Sequence, residues 1–305
     1  LHTAYRRQRQ MCIRDSSILL DDEGQLWLGI GTYGLGVKNR QTGKFTYYTQ
    51  MPEFARYHGI STVMSMMQHS VTGHIWIAAY DGGVYEVDKH APVAQRVKNY
   101  YAQDVDWLAG SCVFYIYEDS KHNLWFATRN GVSMRTADGK AVRFDNLQVG
   151  SSLMKNVHTM YLTEGSDGDM WVASNTHGVL RLHCDDKGNY TVSDYATTNG
   201  KLNSVYADCI YKDAKGRIWV GTGGSGLNLY DESTDTFLPV HAKWNLPGDA
   251  VVGIQSDKEG NLWLGTNAGL IKLTIADDME NVTFRLYTTC LLYTSDAADD
   301  MQCVD

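Results

Sequence analysis

Histidine, cysteine and paired acidic residues are the side chains in this sequence that could transfer protons, attack a substrate or bind a metal ion. His183, Cys184 and Asp185 place three potential metal ligands side by side. Consecutive residues of a strand point to opposite faces, so these three cannot all reach one ion, and we predict a surface hairpin there. Asp167 and Asp169 have the composition of a calcium loop without its spacing, which predicts an ordinary turn.

The other reactive residues between positions 17 and 289 are scattered. The cysteines Cys112, Cys184 and Cys209 show no C-x-x-C spacing. The sequence contains no H-E-x-x-H, Walker, G-x-S-x-G or dinucleotide motif. Neither a helix pattern nor a lysine follows the glycine-rich segment 221–226, so it predicts a hairpin loop rather than a phosphate cradle. We therefore predict no catalytic residues, no metal site and no cofactor within this chain. The histidines of this region are also scattered singly along the sequence; they are His58, His69, His74, His90, His122, His158, His177, His183 and His241.

The two ends of the sequence are related through their coding DNA. Codons can be chosen for residues 1–15 such that the opposite strand, read one base in, encodes residues 290–304 in order. The ends thus resemble a translated sequencing-library adaptor, and such segments are set aside in fold reasoning. We expect residues 1–16 and 290–305 to be adaptor-derived, and residues 17–289 to be the native polypeptide.

Composition and charge argue against a nucleic-acid-binding protein and favour an all-β one. The whole sequence carries 27 basic and 35 acidic residues, a net charge of −8. The ends account for four of the basic residues and five of the acidic ones, so the remaining chain is still mildly acidic. This balance offers no electrostatic footprint for nucleic acid. An abundance of Tyr, Trp and Gly with only four prolines fits a soluble all-β protein.

The sequence contains six copies of one unit, and these copies must position any functional residues of the chain. Each copy has a tryptophan, preceded in most copies by an Asp-x-x-Gly turn and followed two residues later by Gly or Ala. The tryptophans recur every 44 to 49 residues, at Trp27, Trp76, Trp125, Trp171, Trp219 and Trp263. Internal repetition at such a period is typical of solenoids and propellers.

Each copy predicts four short strands. An apolar run precedes the turn, the tryptophan lies on the second strand, the third strand alternates apolar and polar residues, and the fourth is aromatic-rich. A single sheet of this kind cannot bury both faces, whereas radial stacking buries each face against a neighbour. Solenoid units are usually shorter. We therefore predict an all-β fold: a β-propeller of about six four-stranded antiparallel blades, with the tryptophans packed between blades.

The motif D-x-x-G-x-[LI]-W-[LIV]-G-T resembles the two-component regulator propeller repeat. Its fullest copies are residues 213–222 and 257–266, while copies two and three depart from it around Val71 to Gly73 and Asp119 to Asn123. The segment 195–204 is similar to that family's linker between blades. The resemblance implies that the six blades are part of a seven-bladed or tandem propeller.

The resemblance also implies a function. Members of this family are sensors on the extracytoplasmic side of a bacterial inner membrane, and they belong to hybrid histidine kinases that signal through a phosphorelay. Many are similar to sensors of oligosaccharides. The resemblance therefore implies a small-molecule ligand, an oligosaccharide, as the partner, and no nucleic acid. It also implies that the parent protein is a homodimer and that only other parts of this parent contact the membrane. A kinase activity would belong to the full-length parent and not to these blades.

Topology indicates which side of the blades binds a ligand. In a four-stranded meander the loop between the second and third strands emerges on the same side as the connection to the next blade, opposite the Asp-x-x-Gly turns. Aromatic rings with Arg, Asn and Asp on that side favour a sugar, which stacks its apolar face and offers hydroxyls. The candidate ligand-binding residues are Tyr33, Tyr57, Tyr80, Asp81, Trp107, Arg129, Asn175, His177, Trp244 and Asn267.

Two other classes of function stay open at this point. Propellers host lyases and glycosidases, which need a concentrated acid, base or metal constellation that no copy displays. A secreted protein-interaction module of the WD type is the third class, although the Gly-His and Trp-Asp signatures of that repeat are missing. The tryptophans outside the repeat register, Trp107 and Trp244, serve either to stack a ligand or to staple long loops to the blades.

Overall fold

The computed structural model describes residues 17–29, 34–47, 51, 54, 60 and 62–288. The predicted adaptor-derived segments, 1–16 and 290–305, lie outside these residues. Within them the chain forms six four-stranded antiparallel sheets, each with its strands in sequence order. The predicted fold class is confirmed: the protein is all-β, a β-propeller built from six blades. No helix in the described part of the chain is long and apolar enough to cross a membrane.

Each blade takes its strands from one sequence copy. Blade 1 contains β1 Ile18–Leu20, β2 Leu26–Gly29, β3 Leu35–Lys38 and β4 Phe45–Tyr47. Blade 2 contains β5 Val63–Gln68, β6 Ile75–Ala79, β7 Gly83–Val87 and β8 Val97–Tyr100. Blade 3 contains β9 Val113–Glu118, β10 Leu124–Thr128, β11 Gly131–Arg135 and β12 Ala141–Arg143.

A short hairpin, β13 Gln148–Val149 with β14 Ser152–Leu153, follows blade 3. Blade 4 contains β15 Thr159–Glu164, β16 Met170–Ser174, β17 Gly178–Cys184 and β18 Tyr190–Tyr195. Blade 5 contains β19 Ala207–Lys212, β20 Ile218–Thr222, β21 Gly226–Asp231 and β22 Thr236–Leu238, followed by a one-turn helix, α1 Val240–Lys243. Blade 6 contains β23 Val251–Ser256, β24 Leu262–Thr266, β25 Gly269–Ile275 and β26 Val282–Tyr287.

The chain divides into two compact units, residues 1–162 and 163–305. Blades 1 to 3 lie in the first unit and blades 5 and 6 in the second. The division falls within β15, so the rest of blade 4 belongs to the second unit. In every blade we call the end that carries the turn between the first two strands the turn side, and the end that carries the loop between the second and third strands the loop side.

The Asp-x-x-Gly turns hold the first two strands together as predicted. In blade 1, Asp21 Oδ1 accepts the amides of Glu23 and Gln25 at 3.0 and 2.8 Å, and Gly24 adopts a φ of 74° that a glycine tolerates without steric cost. Blade 3 has no glycine at this point, and His122 takes the same left-handed conformation with a φ of 62°. A local side-chain acceptor therefore closes the turn even where the glycine is replaced.

Trp27 and Trp76 pack between neighbouring blades, as predicted for the tryptophans of the repeat. Trp27 of blade 1 lies in one apolar cluster with Ile75 and Ile77 of blade 2. Trp76, which points to the other face of the same strand β6, packs with Val113 and Phe126 of blade 3. Alternation along β6 thus buries one set of side chains against the preceding blade and the other set against the following one.

Candidate functional site

The loop side of blades 2 and 3 brings three of the predicted ligand-binding residues together. Tyr80 and Asp81 lie in the loop between β6 and β7, and Arg129 lies between β10 and β11. Gly83 closes the first loop with a φ of 70°, and a Cβ added there would lie 2.1 Å from the carbonyl oxygen of Tyr100. That backbone contact requires a glycine, and it keeps the loop tight enough to hold Asp81 over the next blade.

Side chains from the first strands of the following blades complete this site. Cys112 Sγ donates a hydrogen bond to Asp81 Oδ1 at 2.8 Å, and the amide of Arg129 donates to the carbonyl oxygen of Cys112 at 3.0 Å. The ring of Phe114 lies 5.9 Å from Tyr80 in an edge-on contact and 4.7 Å from His158. We call Tyr80, Asp81, Cys112, Phe114, Arg129 and His158 the loop-side cluster.

Burial and charge set the protonation states in the loop-side cluster. Burial and the carboxylate of Asp81 raise the pKa of the Cys112 thiol to about 11, so the thiol is protonated at neutral pH and is a poor nucleophile. Burial and the nearby guanidinium of Arg129 lower the pKa of His158, so its imidazole is neutral at the same pH. Asp81 and Arg129 themselves are exposed to solvent.

This arrangement suits binding rather than covalent chemistry. An exposed guanidinium donates hydrogen bonds, an exposed carboxylate accepts them, and the half-buried ring of Tyr80 offers an apolar face beside them. These are the groups that bind a polyhydroxylated ligand. Among the described residues, no group of three or more His, Cys, Asp and Glu side chains is placed to hold a metal ion.

One constellation on the turn side has the composition of a hydrolase triad but not its geometry. Ser70, His122 and Glu118 lie together where blade 2 meets blade 3. Ser70 Oγ and Glu118 Oε1 both approach the same ring nitrogen, Nδ1 of His122, at 3.0 and 2.8 Å. A triad needs the serine on one ring nitrogen and the acid on the other, so this imidazole cannot act as the base between them.

Two predicted aromatic residues pack into the blades. Trp107 is half-buried, with its ring 5.2 Å from Phe126 and 5.3 Å from Tyr100. Trp244 is also half-buried, directly after α1, and its ring lies 6.0 Å from Trp219. These contacts match the alternative that the two tryptophans staple long connections to the blades. Both are therefore weak candidates for stacking a sugar.

The predicted residues of the second unit stabilise their own loops. Asn267 Oδ1 accepts the amides of Asp249 and Ala250 at 3.1 and 3.2 Å, while its Nδ2 donates to Asp249 Oδ1 at 2.7 Å. Asn175 is half-buried in the loop between β16 and β17. His177 lies in the same loop, where its Nδ1 is 2.8 Å from Thr176 Oγ1.

Two further candidates, Tyr33 and Tyr57, lie outside the described residues. Three members of the loop-side cluster, Cys112, Phe114 and His158, are missing from the sequence-based set of candidates. Each lies at or just before the start of a first strand, a position that is always on the loop side of its blade. Strand direction places these positions on the same side as the loops between second and third strands, so they too could be identified from the sequence.

Comparison with known proteins finds one matching family model, over three segments of the chain. Residues 108–130, 199–224 and 245–268 match the family model described as two component regulator propeller. No curated protein matches the chain. The matched segments contain the tryptophans of blades 3, 5 and 6, which carry the Asp-x-x-Gly or closely related turns.

Solved structures show the same fold. The extracellular domain of a protein described as a hybrid two component system of B. thetaiotaomicron is 23% identical, with a TM-score of 0.69 over 90% of this chain. A second extracellular domain from that organism, described as a one component system, is 17% identical with a TM-score of 0.56. The chain covers 35% and 43% of the length of these two domains.

Virginiamycin B lyase from Staphylococcus aureus is similar at 17% identity, with a TM-score of 0.62; 90% of this chain and 85% of the lyase are covered. At these identities the likeness extends to the fold and not to the chemistry, because one propeller fold supports many unrelated functions. The repeats carry more information than the fold does. The chain is a β-propeller, and three of its segments match the two component regulator propeller model.

Proposed function

We propose that this chain is the ligand-sensing part of a two-component signalling protein and that it binds an oligosaccharide at the loop-side cluster. The observation that carries the proposal is the juxtaposition of Asp81, Arg129 and the ring of Tyr80 on one side of blades 2 and 3. Two similar structures are described as extracellular domains of signalling systems, which supports the sensor role. The proposed location is the extracytoplasmic side of a bacterial inner membrane.

Signal transmission would follow from differential binding. A ligand changes the balance between two states of a receptor only if it binds one state more tightly than the other. Asp81 projects from blade 2 and holds the thiol of Cys112 in blade 3, so a ligand that engages Asp81 and Arg129 together contacts both blades at once. We propose that this bridging contact favours one arrangement of a homodimeric parent, which carries the histidine kinase and its phosphorelay.

Calorimetry on the full chain tests the binding proposal. Neutral and acidic glycan fragments are titrated into the wild-type protein and into Tyr80→Ala and Arg129→Gln. We expect each substitution to weaken binding of the same fragment by roughly tenfold, the loss of one charge-assisted hydrogen bond or one ring contact. Unchanged affinity in both variants would show that the ligand binds elsewhere.

A packing control separates loss of contact from loss of fold. Trp107→Phe changes a ring that packs against Phe126 and Tyr100 and lies outside the loop-side cluster. We expect this variant to bind the glycan normally while unfolding at a lower urea concentration. The sensor role itself is tested on the genome: a membrane span and a kinase core downstream of these blades support it, and a stop codon directly after blade 6 contradicts it.

A further inference from the structure

A recurring side-chain arrangement on the turn side of the blades provides an internal standard. In blade 5, Asp213 Oδ2 accepts hydrogen bonds from Trp219 Nε1 at 2.8 Å and from Arg217 Nε at 2.6 Å. In blade 6, Asp257 Oδ2 lies 3.1 Å from Trp263 Nε1 and 3.2 Å from the ammonium of Lys272. One carboxylate oxygen therefore serves both an indole N–H and a cation.

Blade 1 repeats the arrangement with a cation from its neighbour. Asp21 Oδ2 accepts from Trp27 Nε1 at 3.0 Å and from Lys89 Nζ, which belongs to blade 2, at 3.1 Å. The cation thus comes from a different position in the repeat each time, whereas the tryptophan and the carboxylate stay the same. A buried indole N–H and a cation beside it together form a site for one carboxylate.

Blade 2 has the indole without the aspartate, and the cation beside it, Arg135, comes from β11 of blade 3. The turn of blade 2 is one residue longer and begins at His69, whose Nδ1 bonds Thr72 Oγ1 at 2.9 Å. Trp76 is 3% exposed, and its Nε1 has no hydrogen-bond partner among the described residues. The guanidinium of Arg135 lies over the Trp76 ring, 5.7 Å from its centroid. Its one hydrogen bond among the described residues is to the hydroxyl of Tyr100, at 3.1 Å, and no described carboxylate lies within ion-pair distance of it.

A cavity of about 110 Å³ lies between blades 2 and 3 at this point, and both Trp76 and Arg135 line it. This volume corresponds to roughly three to four water molecules, and therefore to an anion of a few non-hydrogen atoms. Glu86 also lines the cavity, but its carboxylate already bonds His74 at 2.7 Å and the hydroxyl of Tyr100 at 2.7 Å, and nearby Glu118 bonds His122 at 2.8 Å. The guanidinium of Arg135 forms no ion pair with a described carboxylate, so it can bind another anion.

We propose that this cavity binds the carboxylate of a small organic acid, which takes the place that the turn aspartate occupies in blades 1, 5 and 6. The ligand carboxylate accepts hydrogen bonds from Trp76 Nε1 and from the guanidinium of Arg135. Its source is either a free acid or the uronic acid unit of a glycan. The site lies on the turn side, so it does not depend on the loop-side cluster or on the proposed sensor role.

Nuclear magnetic resonance of the indole N–H groups tests the proposal directly. Acetate is titrated into the nitrogen-15-labelled full chain, the Trp76 signal is assigned with Trp76→Phe, and acetamide serves as the neutral isostere. We expect a saturable shift of the Trp76 signal with acetate and none with acetamide. The Trp219 signal should not move, because Asp213 already occupies its N–H.

Two variants sharpen the test. Arg135→Gln keeps a polar side chain and removes the cation, and it should weaken acetate roughly tenfold. The second variant combines His69→Asp with deletion of Val71, which is 64% exposed, and so restores an aspartate six residues before Trp76. This internal carboxylate should abolish acetate binding, and circular dichroism checks that the variant is folded.

Glucuronate compared with acetate distinguishes the two sources. Tighter binding of glucuronate identifies a sugar acid as the ligand, and equal or weaker binding identifies a free small acid; the carboxylate site stands in either case. The proposal is overturned if the Trp76 signal shows no saturable shift with either acid. It is also overturned if acetamide shifts the signal as acetate does, since the cavity would then select no charge.

Discussion

Blades 5 and 2 meet their neighbours through the same tryptophan but complete its surroundings differently. In blade 5 the carboxylate of Asp213 joins the turn amides, the indole of Trp219 and the cation of Arg217 into one unit. In blade 2 the longer turn satisfies its own polar groups through His69 and Thr72, and the indole of Trp76 is left out.

The difference shows that the turn aspartate has two separable roles: closing the turn and accepting a hydrogen bond from the tryptophan. Closing the turn requires only a local acceptor, and His69 or Thr72 can provide it. Satisfying the tryptophan requires a carboxylate that reaches into the space between blades. Blade 4 separates the tasks in another way: Gly165 stands at the aspartate position, while Asp169 pairs with Arg181, whose guanidinium lies over the Trp171 ring.

The largest effect should come from breaking the complete unit in blade 5. Asp213→Ala leaves the N–H of the fully buried Trp219, the Arg217 guanidinium and two turn amides without their acceptor. Breaking a buried, hydrogen-bonded charge pair costs about 3–5 kcal/mol, and since Arg217 is partly exposed we expect about 3 kcal/mol from urea unfolding. Fluorescence of the tryptophans follows the transition.

A matched control exists on the turn between β17 and β18. Asp185 accepts the amides of Lys187 and Asn189 at 2.9 and 2.8 Å, as Asp213 does in its own turn, but it is exposed and contacts no tryptophan. Asp185→Ala should therefore cost clearly less stability than Asp213→Ala, because an exposed turn acceptor is readily replaced by water. Equal losses in the two variants would mean that the turn, and not the indole, determines the stability.

Cations over the tryptophans provide the next comparison. Arg181 of blade 4 pairs with Asp169 at 2.7 Å and with Asp167 at 2.5 Å. Among the described residues, the guanidinium of Arg135, from blade 3, contacts only aromatic rings and a tyrosine hydroxyl. Arg181→Gln removes the guanidinium partner of the buried carboxylate of Asp169, which keeps its contact with His183 Nδ1 at 2.7 Å, and should cost about 2 kcal/mol.

The corresponding loss in Arg135→Gln should be about 1 kcal/mol, the size of a cation–π contact. Both values come from urea unfolding at low concentrations of organic anions. A larger loss in Arg135→Gln than in Arg181→Gln would show that Arg135 already has a strong partner, contrary to the comparison between blades.

Features that repeat along the chain could be predicted from the sequence, because they depend on local chemistry. Trp27 and its five counterparts mark the second strands, and Gly24 with its counterparts marks the turns, so strand order, blade number and fold class follow. The side of the blades that carries Tyr80, Asp81 and Arg129 follows from strand direction alone. The one-turn helix α1 and the hairpin β13–β14 repeat nowhere and were not predicted.

Contacts between side chains of different blades could not be predicted in the same way. Cys112 and His158 each directly precede a first strand and have no distinguishing sequence pattern, and only the stacking of the blades brings them to Asp81 and Phe114. The sequence shows that the second repeat lacks its turn aspartate, but not that Trp76 is thereby left with a cavity and a guanidinium beside it. Trp107 was predicted to bind a ligand because its packing partners, Tyr100 and Phe126, lie in two different blades and cannot be identified from the sequence.

The turn glycines allow a smaller test of the same comparison. Gly260 in blade 6 has a φ of 83°, and an added Cβ would meet nothing within 4 Å. Gly260→Ala therefore isolates the backbone strain of a left-handed residue, about 1 kcal/mol. Gly224→Ala is the control, because that glycine has equal space and no such φ; it should be neutral or slightly stabilising in the same urea titration.

Acid sensitivity gives the smallest expected difference. Burial raises the pKa of Asp21, but hydrogen bonds from Trp27 Nε1, the Gln25 amide and Lys89 outweigh it, so the pKa lies below its ordinary value of 3.8. A carboxyl with a lowered pKa in the folded state stabilises the fold above its ordinary pKa. That contribution is lost as the pH falls through the folded pKa.

Asp21→Asn should therefore reduce the dependence of unfolding free energy on pH below about pH 4, by less than one proton in slope. Urea titrations between pH 6 and pH 3 measure it. Blade 2 supplies the converse: restoring its turn aspartate, through His69→Asp with deletion of Val71, should add a titrating carboxyl and steepen the same acid limb. If Asp21→Asn leaves the acid limb unchanged, the carboxylate is not bonded more strongly in the folded chain than in water. The aspartate would then stabilise its blade through the shape and hydrogen bonds that asparagine shares, and not through its charge.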